Sequence, residues 1–470
     1  MNTKPLRIDS NLRHFAGILL LLGTTFQAAG QISYQQALDR FLAEPALAAA
    51  SVGVCVLDAQ TGKELLSHDA DLARIPASTM KVVTTRYAIE LLSLDFRFKT
   101  HFGYTGSVDS TGVLLGDLVV QGGGDPTLGS SHFPSQTCLE PWLNALRGAG
   151  IHTVKGKLIV LDNVFEGPPL AGSTAIEDGG NYYGVGAFGL NYRDNTFEVN
   201  LRSGSDQTGV EVLEAQRYPV QITSYVKAST RNADLAFGYS MPHVNSILIY
   251  GSIPQNQNAY KVKLAMPNPA NFLADDLRKF FNKNGVLIQG ENEVITDNFK
   301  TDFKVIHTIE SPTLQLILNR TNEKSINLYA AALFKMMGKV KDGEGSFEGA
   351  WRAISKVRLA QGKKNTGLFM ADGSGLSRLN TLTARQLAEC VLPMSGQSDL
   401  ALTGGWKSFG GSSAVRVKSG YIGGVRSYAG RITRSNGSIL CFSVVVNHGA
   451  GSASEVRMAI ERWALHVLEN

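Results

Sequence analysis

The stretch Pro76-Ala77-Ser78-Thr79-Met80-Lys81 leads into an apolar run that ends near Leu92. The pattern predicts a helix that opens at Ser78, because a proline just before a helix removes no backbone hydrogen bond. Lys81 follows Ser78 by three residues, so the two side chains share one face of that helix. Taken alone, S-x-x-K is a weak signal, since it equally fits a capping serine and a solvated lysine.

Two further polar motifs follow far along the chain. They are Ser325-Ile326-Asn327 and Lys418-Ser419-Gly420. The ordered set S-x-x-K, S-x-N and K-[ST]-G is typical of enzymes that acylate a serine with a penicillin-like or D-alanyl substrate. Each motif is weak by itself, whereas all three in this order form a specific signal.

The first motif supplies a nucleophile and a base. A serine hydroxyl reacts at neutral pH only when a neighbour takes its proton. The Lys81 amine can do so if burial and a nearby cation, such as Lys418, lower its pKa. The helix start also offers the backbone N–H of Ser78 to an oxyanion, and we expect a second donor near Tyr421.

The other two motifs suit substrate binding and proton transfer. Ser325 and Asn327 can relay a proton to a leaving amine and hold a substrate backbone. A simpler alternative is that Ser325 caps a helix at residues 326–337, and both roles are compatible. The Lys418-Ser419-Gly420 motif offers an ammonium and a hydroxyl to a terminal carboxylate, and its glycine permits a close backbone approach. Alone, it also fits an ordinary strand end.

Strand patterns at both ends of the chain predict one shared sheet. Strands are predicted at residues 51–58, 64–68, 415–417, 427–432 and 438–446. An amphipathic helix is predicted at residues 456–467. The expected fold class is α/β (α+β), with an antiparallel sheet flanked by helices.

A long β-rich segment separates these two ends. It shows strand patterns at residues 113–120 and 196–201 and helix patterns at residues 141–147 and 270–284. A segment of this length needs structure of its own.

We therefore predict a discontinuous catalytic domain, residues 31–97 with 302–470, and an inserted region at residues 98–301. The inserted region is expected to hold two nested subdomains, at about residues 98–180 with 265–301 and at residues 181–264.

The N-terminus has the pattern of a secretory signal. Three basic residues precede the apolar run Phe15–Leu22, and Ala28-Ala29-Gly30 offers a cleavage site. We predict a signal peptide at residues 1–30, cleavage near residue 30 and a periplasmic location. An uncleaved anchor and a peripheral membrane contact stay open.

Composition excludes several other classes of protein. The net charge of +5 over 470 residues comes without a basic run, which argues against nucleic-acid binding. No histidine pair at metal spacing and no G-x-S-x-G motif occurs, so we expect catalysis without a cofactor. The cysteines lack a C-x-x-C pair, and buried free thiols are favoured over a disulfide framework. They are Cys55, Cys138, Cys390 and Cys441.

With these three motifs and the long segment between the first two, the chain resembles a known family, the penicillin-binding serine D-alanyl-D-alanine carboxypeptidase/endopeptidases of the class C low-molecular-mass type. Three further stretches are similar to family blocks: Gly123–Leu128, the segment from Glu177-Asp178 to Tyr183-Gly184, and Asp372–Asn380. The resemblance covers most of the chain. It implies a fold shared with penicillin-binding proteins and serine β-lactamases, with large β-rich insertions.

The resemblance also implies roles for named residues. Ser78 would be the acylated nucleophile and Lys81 the general base. Ser325 and Asn327 would assist proton transfer and substrate placement, and the Lys418-Ser419 pair would hold the terminal carboxylate.

A pocket for the peptide side chain is implied as well. It would be lined by Asp178, Tyr183 and Arg378, whose charges suit the ammonium and carboxylate of a peptidoglycan stem. The simpler alternative is a surface acid and a structural ion pair. The chain departs from the family at Ser419, where threonine is commoner, and at Gly423, where relatives often have a longer side chain. The second departure bears on specificity.

The resemblance therefore implies a periplasmic D-Ala-D-Ala carboxypeptidase that also acts as an endopeptidase on cross-links. Its partners would be peptidoglycan stem peptides and β-lactam antibiotics. A serine β-lactamase with the same motifs is the nearest alternative, although the long insertion argues against it. A non-catalytic wall-binding protein is the other, and the intact nucleophile and base argue against that.

Overall fold

The computed structural model describes residues 33–206, 209–297, 299 and 301–469. The predicted signal peptide at residues 1–30 lies outside them. Within the described ranges the α-helices are α1 (Tyr34–Leu42), α2 (Met80–Leu92), α3 (Leu139–Gly148), α4 (Pro269–Lys283), α5 (Leu314–Lys324), α6 (Asn327–Asp342), α7 (Phe347–Ala360), α8 (Ala384–Cys390), α9 (Gln397–Thr403) and α10 (Ala453–Glu469).

The strands are numbered along the chain. They are β1 (Ser51–Asp58), β2 (Glu64–His68), β3 (Ala73–Arg74), β4 (Lys99–Tyr104), β5 (Ser107–Val108), β6 (Val113–Leu115), β7 (Leu118–Gln121), β8 (Thr153–Val154), β9 (Leu158–Leu161), β10 (Thr196–Arg202), β11 (Glu211–Leu213), β12 (Gln221–Ser224), β13 (Lys227–Ser229), β14 (Phe237–Tyr239), β15 (Ser246–Tyr250), β16 (Ser252–Pro254), β17 (Tyr260–Ala265), β18 (Leu287–Ile288), β19 (Asn292–Ile295), β20 (Lys304–Glu310), β21 (Leu382–Thr383), β22 (Lys407–Phe409), β23 (Ser412–Ile422), β24 (Val425–Thr433) and β25 (Ile439–Asn447).

The two ends of the chain build one six-stranded antiparallel sheet, in the order β2-β1-β25-β24-β23-β22. Strand β1 pairs with β25 along its length, from Ser51 opposite Asn447 to Asp58 opposite Leu440. Both strands are nearly continuous apolar runs, which is typical of strands covered on both faces. The predicted antiparallel sheet flanked by helices is confirmed.

Helices cover the two faces of this sheet unequally. On one face α1 and α10 pack together, and Trp463 lies 5.8 Å from Phe41 and 5.9 Å from Phe442 between ring centroids. The other face carries a larger core, formed mainly by α2 and α5 to α9. Tyr87 of α2 and Phe334 of α6 are fully buried in it. Helix α2, which follows the S-x-x-K serine, is therefore fixed on several sides.

Residues between the two ends form further sheets. Two of them, β19-β9-β7-β4-β20 and β18-β8-β6-β5, mix parallel and antiparallel pairs. The strand pattern at residues 113–120 corresponds to two strands, β6 and β7, which lie in different sheets. Gly116 separates them, and a side chain there would lie 2.0 Å from the carbonyl oxygen of Thr105.

Three smaller sheets, β11-β10-β17, β12-β15-β14 and β13-β16, complete the middle of the chain. Strand β14 lies directly behind residues 178–184. The side-chain oxygen of Asn181 accepts a hydrogen bond of 3.1 Å from the backbone of Gly238. A Cβ on Gly180 would lie 2.2 Å from the Gly238 carbonyl oxygen, so the two backbones touch.

Several local predictions can be compared with the structure. The helix predicted to open at Ser78 begins instead with a 3₁₀ turn at Ala77–Thr79, and α2 starts at Met80. The alternative that Ser325 caps the next helix is wrong, because the residue before α6 is Ile326, without a side-chain cap. The four cysteines are buried and free. None of the helices in the described ranges is long and apolar enough to cross a membrane.

Candidate active site

The chain turns sharply just before α2. Ala77 has a φ of 49°, in the left-handed region that strains a residue with a Cβ. The Thr79 hydroxyl donates a hydrogen bond of 2.7 Å to the Pro76 carbonyl, and the Ser427 hydroxyl donates to the same oxygen. Ser78 therefore reaches the surface of a cavity from a turn that is held on both sides.

Lys81 is fully buried one turn beyond this serine. Its Nζ lies 3.0 Å from Ser78 Oγ, 2.6 Å from Asn327 Oδ1 and 2.7 Å from the Ser374 carbonyl oxygen. The amide and backbone oxygens can only accept hydrogen bonds. A neutral Lys81 can give its two hydrogens to them, which leaves its lone pair for the hydroxyl of Ser78.

The charge state of Lys81 follows from its surroundings. Burial, and next the positive charge of Lys418, lower the pKa of Lys81 well below its usual value, while Asp372 raises it. Desolvation and a like charge both disfavour an ammonium. A lowered pKa makes the neutral amine that a general base requires easier to reach.

Asn327 is oriented by the inserted region. It is the first residue of α6, and its side-chain nitrogen donates a hydrogen bond of 2.8 Å to the Tyr183 carbonyl oxygen. Because the nitrogen faces Tyr183, the oxygen must face Lys81.

A buried carboxylate shapes the loop that contacts Lys81. Asp372 accepts hydrogen bonds from the backbone of Ser374 (2.7 Å), Gly375 (2.6 Å) and Ser377 (2.7 Å). Gly375 has a φ of 83°, and a Cβ there would lie 1.9 Å from the Ala77 carbonyl oxygen. The loop therefore packs against the turn that carries Ser78 and directs the Ser374 carbonyl to Lys81.

The second lysine lies behind Ser325. Lys418 is buried, and its Nζ donates to Ser325 Oγ at 2.9 Å and to the Ser419 carbonyl at 2.7 Å. Burial, and then the charge of Lys407, lower the pKa of Lys418 to about 7. Ser325 has a φ of 57° in the short link between α5 and α6, which aims its hydroxyl at Lys418.

Gly420 brings β23 against the turn that carries Ser78. A Cβ on Gly420 would lie 2.7 Å from the Pro76 carbonyl oxygen and 2.8 Å from the backbone nitrogen of Thr79. Any side chain would push the strand away from α2. The close approach sets the distance between Ser78 and the strand that carries Lys418.

These groups surround a cavity of about 450 Å³. Its wall is formed by Ser78, Asp178, Tyr182, Tyr183, Ser325, Asn327, Gly375, Leu376, Arg378, Tyr421, Ile422 and Gly423. Two kinds of wall meet there. We call Ser78, Ser325 and Asn327, with the lysines behind them, the catalytic wall, and Asp178, Tyr182 and Tyr183 the insertion wall.

The insertion wall carries an acid held by a tyrosine. Asp178 accepts a hydrogen bond from the Tyr183 hydroxyl; burial raises the pKa of Asp178, and this hydrogen bond partly offsets the rise. Burial, and next the charge of Asp178, raise the pKa of Tyr183 to about 12.

The exposed Arg378 also lines the cavity, and it donates a hydrogen bond of 2.9 Å to the Gly423 carbonyl. A Cβ on Gly423 would lie 3.4 Å from the Arg378 guanidinium, in ordinary contact. The cavity thus carries both an acid and a guanidinium, and the charge of Arg378 acts to lower the pKa of Asp178.

With this geometry in view, comparison with known proteins identifies the family. The profile of the D-Ala-D-Ala carboxypeptidase 3 (S13) family matches residues 34–467. The chain belongs to this family. The predicted family and enzyme class, a serine-type D-Ala-D-Ala carboxypeptidase, are thereby confirmed.

Individual relatives of this S13 chain are distant in sequence. A D-alanyl-D-alanine carboxypeptidase of Actinomadura sp. (strain R39) is 26% identical over 88% of this chain and 81% of its own length. The D-alanyl-D-alanine carboxypeptidase DacB of Haemophilus influenzae is 22% identical over 84% of this chain and 85% of its own length. The crystal structure of penicillin binding protein 4 (dacB) from Haemophilus influenzae superposes with a TM-score of 0.79 at 21% identity, covering 93% of this chain and 99% of that one. The fold is therefore shared.

The structure brings the predicted site residues together around one cavity. Some of them lie outside its wall. Lys81 and Lys418 lie behind Ser78 and Ser325, to which they are hydrogen-bonded. Ser419 is exposed on β23, outside the wall. Its contact with a carboxylate stays a prediction, as do the roles of the other residues.

The sequence reasoning missed some contributors to this S13 site. Asp372 and the Ser374 carbonyl belong to the family block at residues 372–380, from which the prediction took Arg378. Their signal was the acid at the head of a glycine-rich loop, since such an acid often holds backbone N–H groups. Tyr182 had the weaker signal of lying next to Tyr183. Ser427 had none, because its contact with Pro76 depends on strand register.

Proposed function

We propose that Ser78 attacks the carbonyl carbon of the penultimate D-Ala of a peptidoglycan stem, while Lys81 takes the hydroxyl proton. The observation that best supports this proposal is the hydrogen-bond pattern of Lys81. Asn327 Oδ1 and the Ser374 carbonyl oxygen accept the two hydrogens of its neutral amine, which leaves the lone pair for Ser78. The oxyanion would be held by the backbone N–H groups of Ser78 and Tyr421, both on the cavity wall.

Collapse of the tetrahedral intermediate breaks the peptide C–N bond. The leaving amine needs a proton, and the Ser325 hydroxyl, which accepts from Lys418, is suited to pass one on. Two of the three ammonium hydrogens of Lys418 are engaged by protein oxygens, so the third is free for the terminal carboxylate of the substrate. Water then hydrolyses the acyl ester and restores Ser78.

The side chain of the third stem residue would enter between Asp178 and Arg378. An ammonium suits Asp178 and a carboxylate suits Arg378, and both residues line the cavity. The same reaction on a cross-link releases a stem peptide in place of D-Ala, which gives endopeptidase activity. Penicillins, which mimic the D-alanyl terminus, would acylate Ser78.

We also propose that residues 1–30 are a cleaved signal peptide and that the enzyme acts in the periplasm, where its substrate lies. For the domains, we propose an inserted region that ends later than residue 301. Strand β20 pairs with β4 along its length, which supports an end at Glu310. The nested division, residues 98–180 with the last part of the insertion and residues 181–264, is kept.

Intact mass after brief exposure to benzylpenicillin tests the mechanism. The protein should gain the mass of one penicillin on the peptide that holds Ser78, and Ser78→Ala should gain none. Hydrolysed penicillin without a lasting adduct would point to a β-lactamase. No adduct and no hydrolysis would overturn the catalytic proposal in favour of a wall-binding protein.

A further inference from the structure

The outer face of the sheet β12-β15-β14 carries a row of aromatic rings. Phe237 lies beside Tyr250 at 6.3 Å between ring centroids, and Tyr250 lies beside Tyr225 at 4.9 Å. The ring planes differ by 22° and 18°, so the three rings are nearly parallel. Tyr239 meets Tyr250 edge-on at 5.6 Å, and Leu248 pairs with Tyr239 in the next row. We call these five residues the aromatic face.

This face is open to solvent, although its residues are largely apolar. Tyr225 is 55% exposed, Leu248 37% and Phe237 36%. The opposite side of β15 is already packed, since Ile247 and Ile249 are fully buried. Contiguous exposed apolar groups of this kind mark a binding surface more often than chance.

The absence of charged residues on the three strands restricts the kind of ligand that the aromatic face can bind. None of them contains an Asp, Glu, Lys, Arg or His residue. A nucleic acid, an anionic lipid surface or a charged peptide would find no opposite charge on these strands. A neutral polymer with both apolar and hydroxyl groups matches rings whose tyrosines add phenol hydroxyls.

Strand β14, which carries Phe237 and Tyr239 of the aromatic face, borders the insertion wall of the active site through its backbone at Gly238. Strand β14 touches the segment that carries Asp178 and Tyr183, through the contact of Gly180 with Gly238 and the hydrogen bond from Gly238 to Asn181. A ligand that extends out of the cavity past this wall therefore comes within reach of β14.

The substrate of the proposed reaction is such a ligand, and the inference rests on that proposed function. The stem peptide hangs from a glycan strand, and its four residues up to the scissile carbonyl span at most about 14 Å when extended. The strand must then pass close to the mouth of the cavity. Its N-acetylated sugars are neutral, with flat faces of C–H groups and rims of hydroxyls.

We propose that the aromatic face binds the glycan strand that carries the stem peptide. The enzyme would thereby hold polymeric peptidoglycan at a second point, next to the insertion wall. Linkage of the two contacts would raise activity on the polymer above that on a free peptide.

The first experiment compares kcat/KM on intact sacculi with kcat/KM on a free pentapeptide that ends in D-Ala-D-Ala. In the double variant Tyr225→Ala/Tyr250→Ala the ratio of the two values should fall at least about fivefold, since each ring contact contributes a modest energy. Phe369→Ala is the control, because Phe369 is 43% exposed outside the aromatic face. It should leave the ratio unchanged. Melting curves establish that all variants are folded.

The second experiment does not depend on catalysis. A neutral hexasaccharide of N-acetylglucosamine is titrated into Ser78→Ala protein, with binding followed by tyrosine fluorescence or calorimetry. Leu248→Lys keeps every ring but puts a charge beside Tyr239 in the second row of the aromatic face, and it should weaken binding at least about fivefold. This variant keeps the test valid if the double variant is unstable.

Three results would overturn the proposal. An unchanged ratio together with unchanged hexasaccharide affinity would remove it directly. An equal loss on sacculi and on the free pentapeptide would show that the face acts on the active-site segment and not on glycan. Self-association that is lost in Leu248→Lys would make the face a contact between copies of the chain. If Ser78 takes no penicillin but the hexasaccharide binds as expected, the proposed reaction fails and the glycan site stands.

Discussion

The two walls of the cavity are built on different principles. In the catalytic wall the lysines are buried, and Lys81, Asn327 and Lys418 each make at least two hydrogen bonds. In the insertion wall Tyr182 and Tyr183 are exposed, and the acid Asp178 has one tyrosine partner. The hydrogen bond from Asn327 to the Tyr183 carbonyl joins them.

The difference indicates a division of labour. Buried, multiply bonded groups have fixed positions and shifted pKa values, which bond-making chemistry needs. Exposed groups on a loop can change without disturbing that chemistry, and they suit selection among substrates. Damage to the catalytic wall should therefore abolish reaction with every substrate, whereas damage to the insertion wall should affect stem peptides selectively.

The largest effect is expected from Lys81→Met. Without the base, acylation by benzylpenicillin and hydrolysis of stem peptides should both fall at least about 10³-fold. Stopped-flow acylation and a D-Ala release assay measure the two losses. A loss confined to one of the substrates would contradict the assignment of Lys81 to the catalytic wall.

Lys335→Met is the matched control. Lys335 is also buried, with Nζ 3.2 Å from the Pro168 carbonyl and 5.2 Å from the ring centres of Phe165 and Phe347, and burial lowers its pKa to about 8. It lies about 12 Å along α6 from Asn327. Acylation should stay within about threefold of the wild type, because a lowered lysine pKa without an adjacent nucleophile does not make a base.

The second effect concerns the pH dependence of acylation. Asp372 raises the pKa of Lys81, so Asp372→Asn should lower that pKa further. Since acylation needs neutral Lys81, the rate falls as pH drops through its pKa, and the acid limb should move to lower pH. The plateau should fall about tenfold, because the base is weaker and the loop less well held.

Asp125→Asn serves as the control for that change. Asp125 is another buried acid that binds a backbone N–H, at 2.8 Å from Thr127, but it does not act on Lys81. The acid limb of the pH profile of acylation in Asp125→Asn should match that of the wild type. If Asp372→Asn lowers the plateau rate of acylation but does not move the acid limb of the pH profile, Asp372 acts only by holding the loop in position.

How much the sequence predicts also differs between the walls. The residues of the catalytic wall could be predicted from three short motifs. Helix spacing places Lys81 beside Ser78, and the strand pattern before Lys418 places that lysine at the end of a strand. The same reasoning could not find the orientation of Asn327 or the Ser374 carbonyl, which depend on backbone contacts between distant segments. The split of residues 113–120 into two strands was hidden for a similar reason, since Gly116 turns the chain against Thr105. Asp178 and Arg378 came from family resemblance, and no pattern in the chain links them.

The third effect tests the insertion wall by charge. Asp178→Asn should reduce kcat/KM by about tenfold for stem peptides whose third residue carries an ammonium, because one charge-assisted contact is lost. Acylation by benzylpenicillin should change by less than about threefold. Glu177→Gln is the control, since Glu177 is an exposed neighbour outside the cavity wall. Equal losses on penicillin and peptide would erase the distinction between the walls.

The smallest effect is expected from Tyr183→Phe, which separates the two roles of one residue. Its carbonyl, which holds Asn327, is kept, so penicillin acylation should not change. Its hydroxyl, which lowers the pKa of Asp178, is lost. That pKa should rise, Asp178 should be neutral up to a higher pH, and the preference for an ammonium-bearing stem should fade at a higher pH than in the wild type. At neutral pH the loss in kcat/KM should be about threefold.

Tyr182→Phe, which changes the adjacent ring on the same wall, should leave this pH dependence in place. If Tyr183→Phe slows penicillin acylation as well, its side chain supports the catalytic wall, and the two walls are coupled through more than a backbone carbonyl.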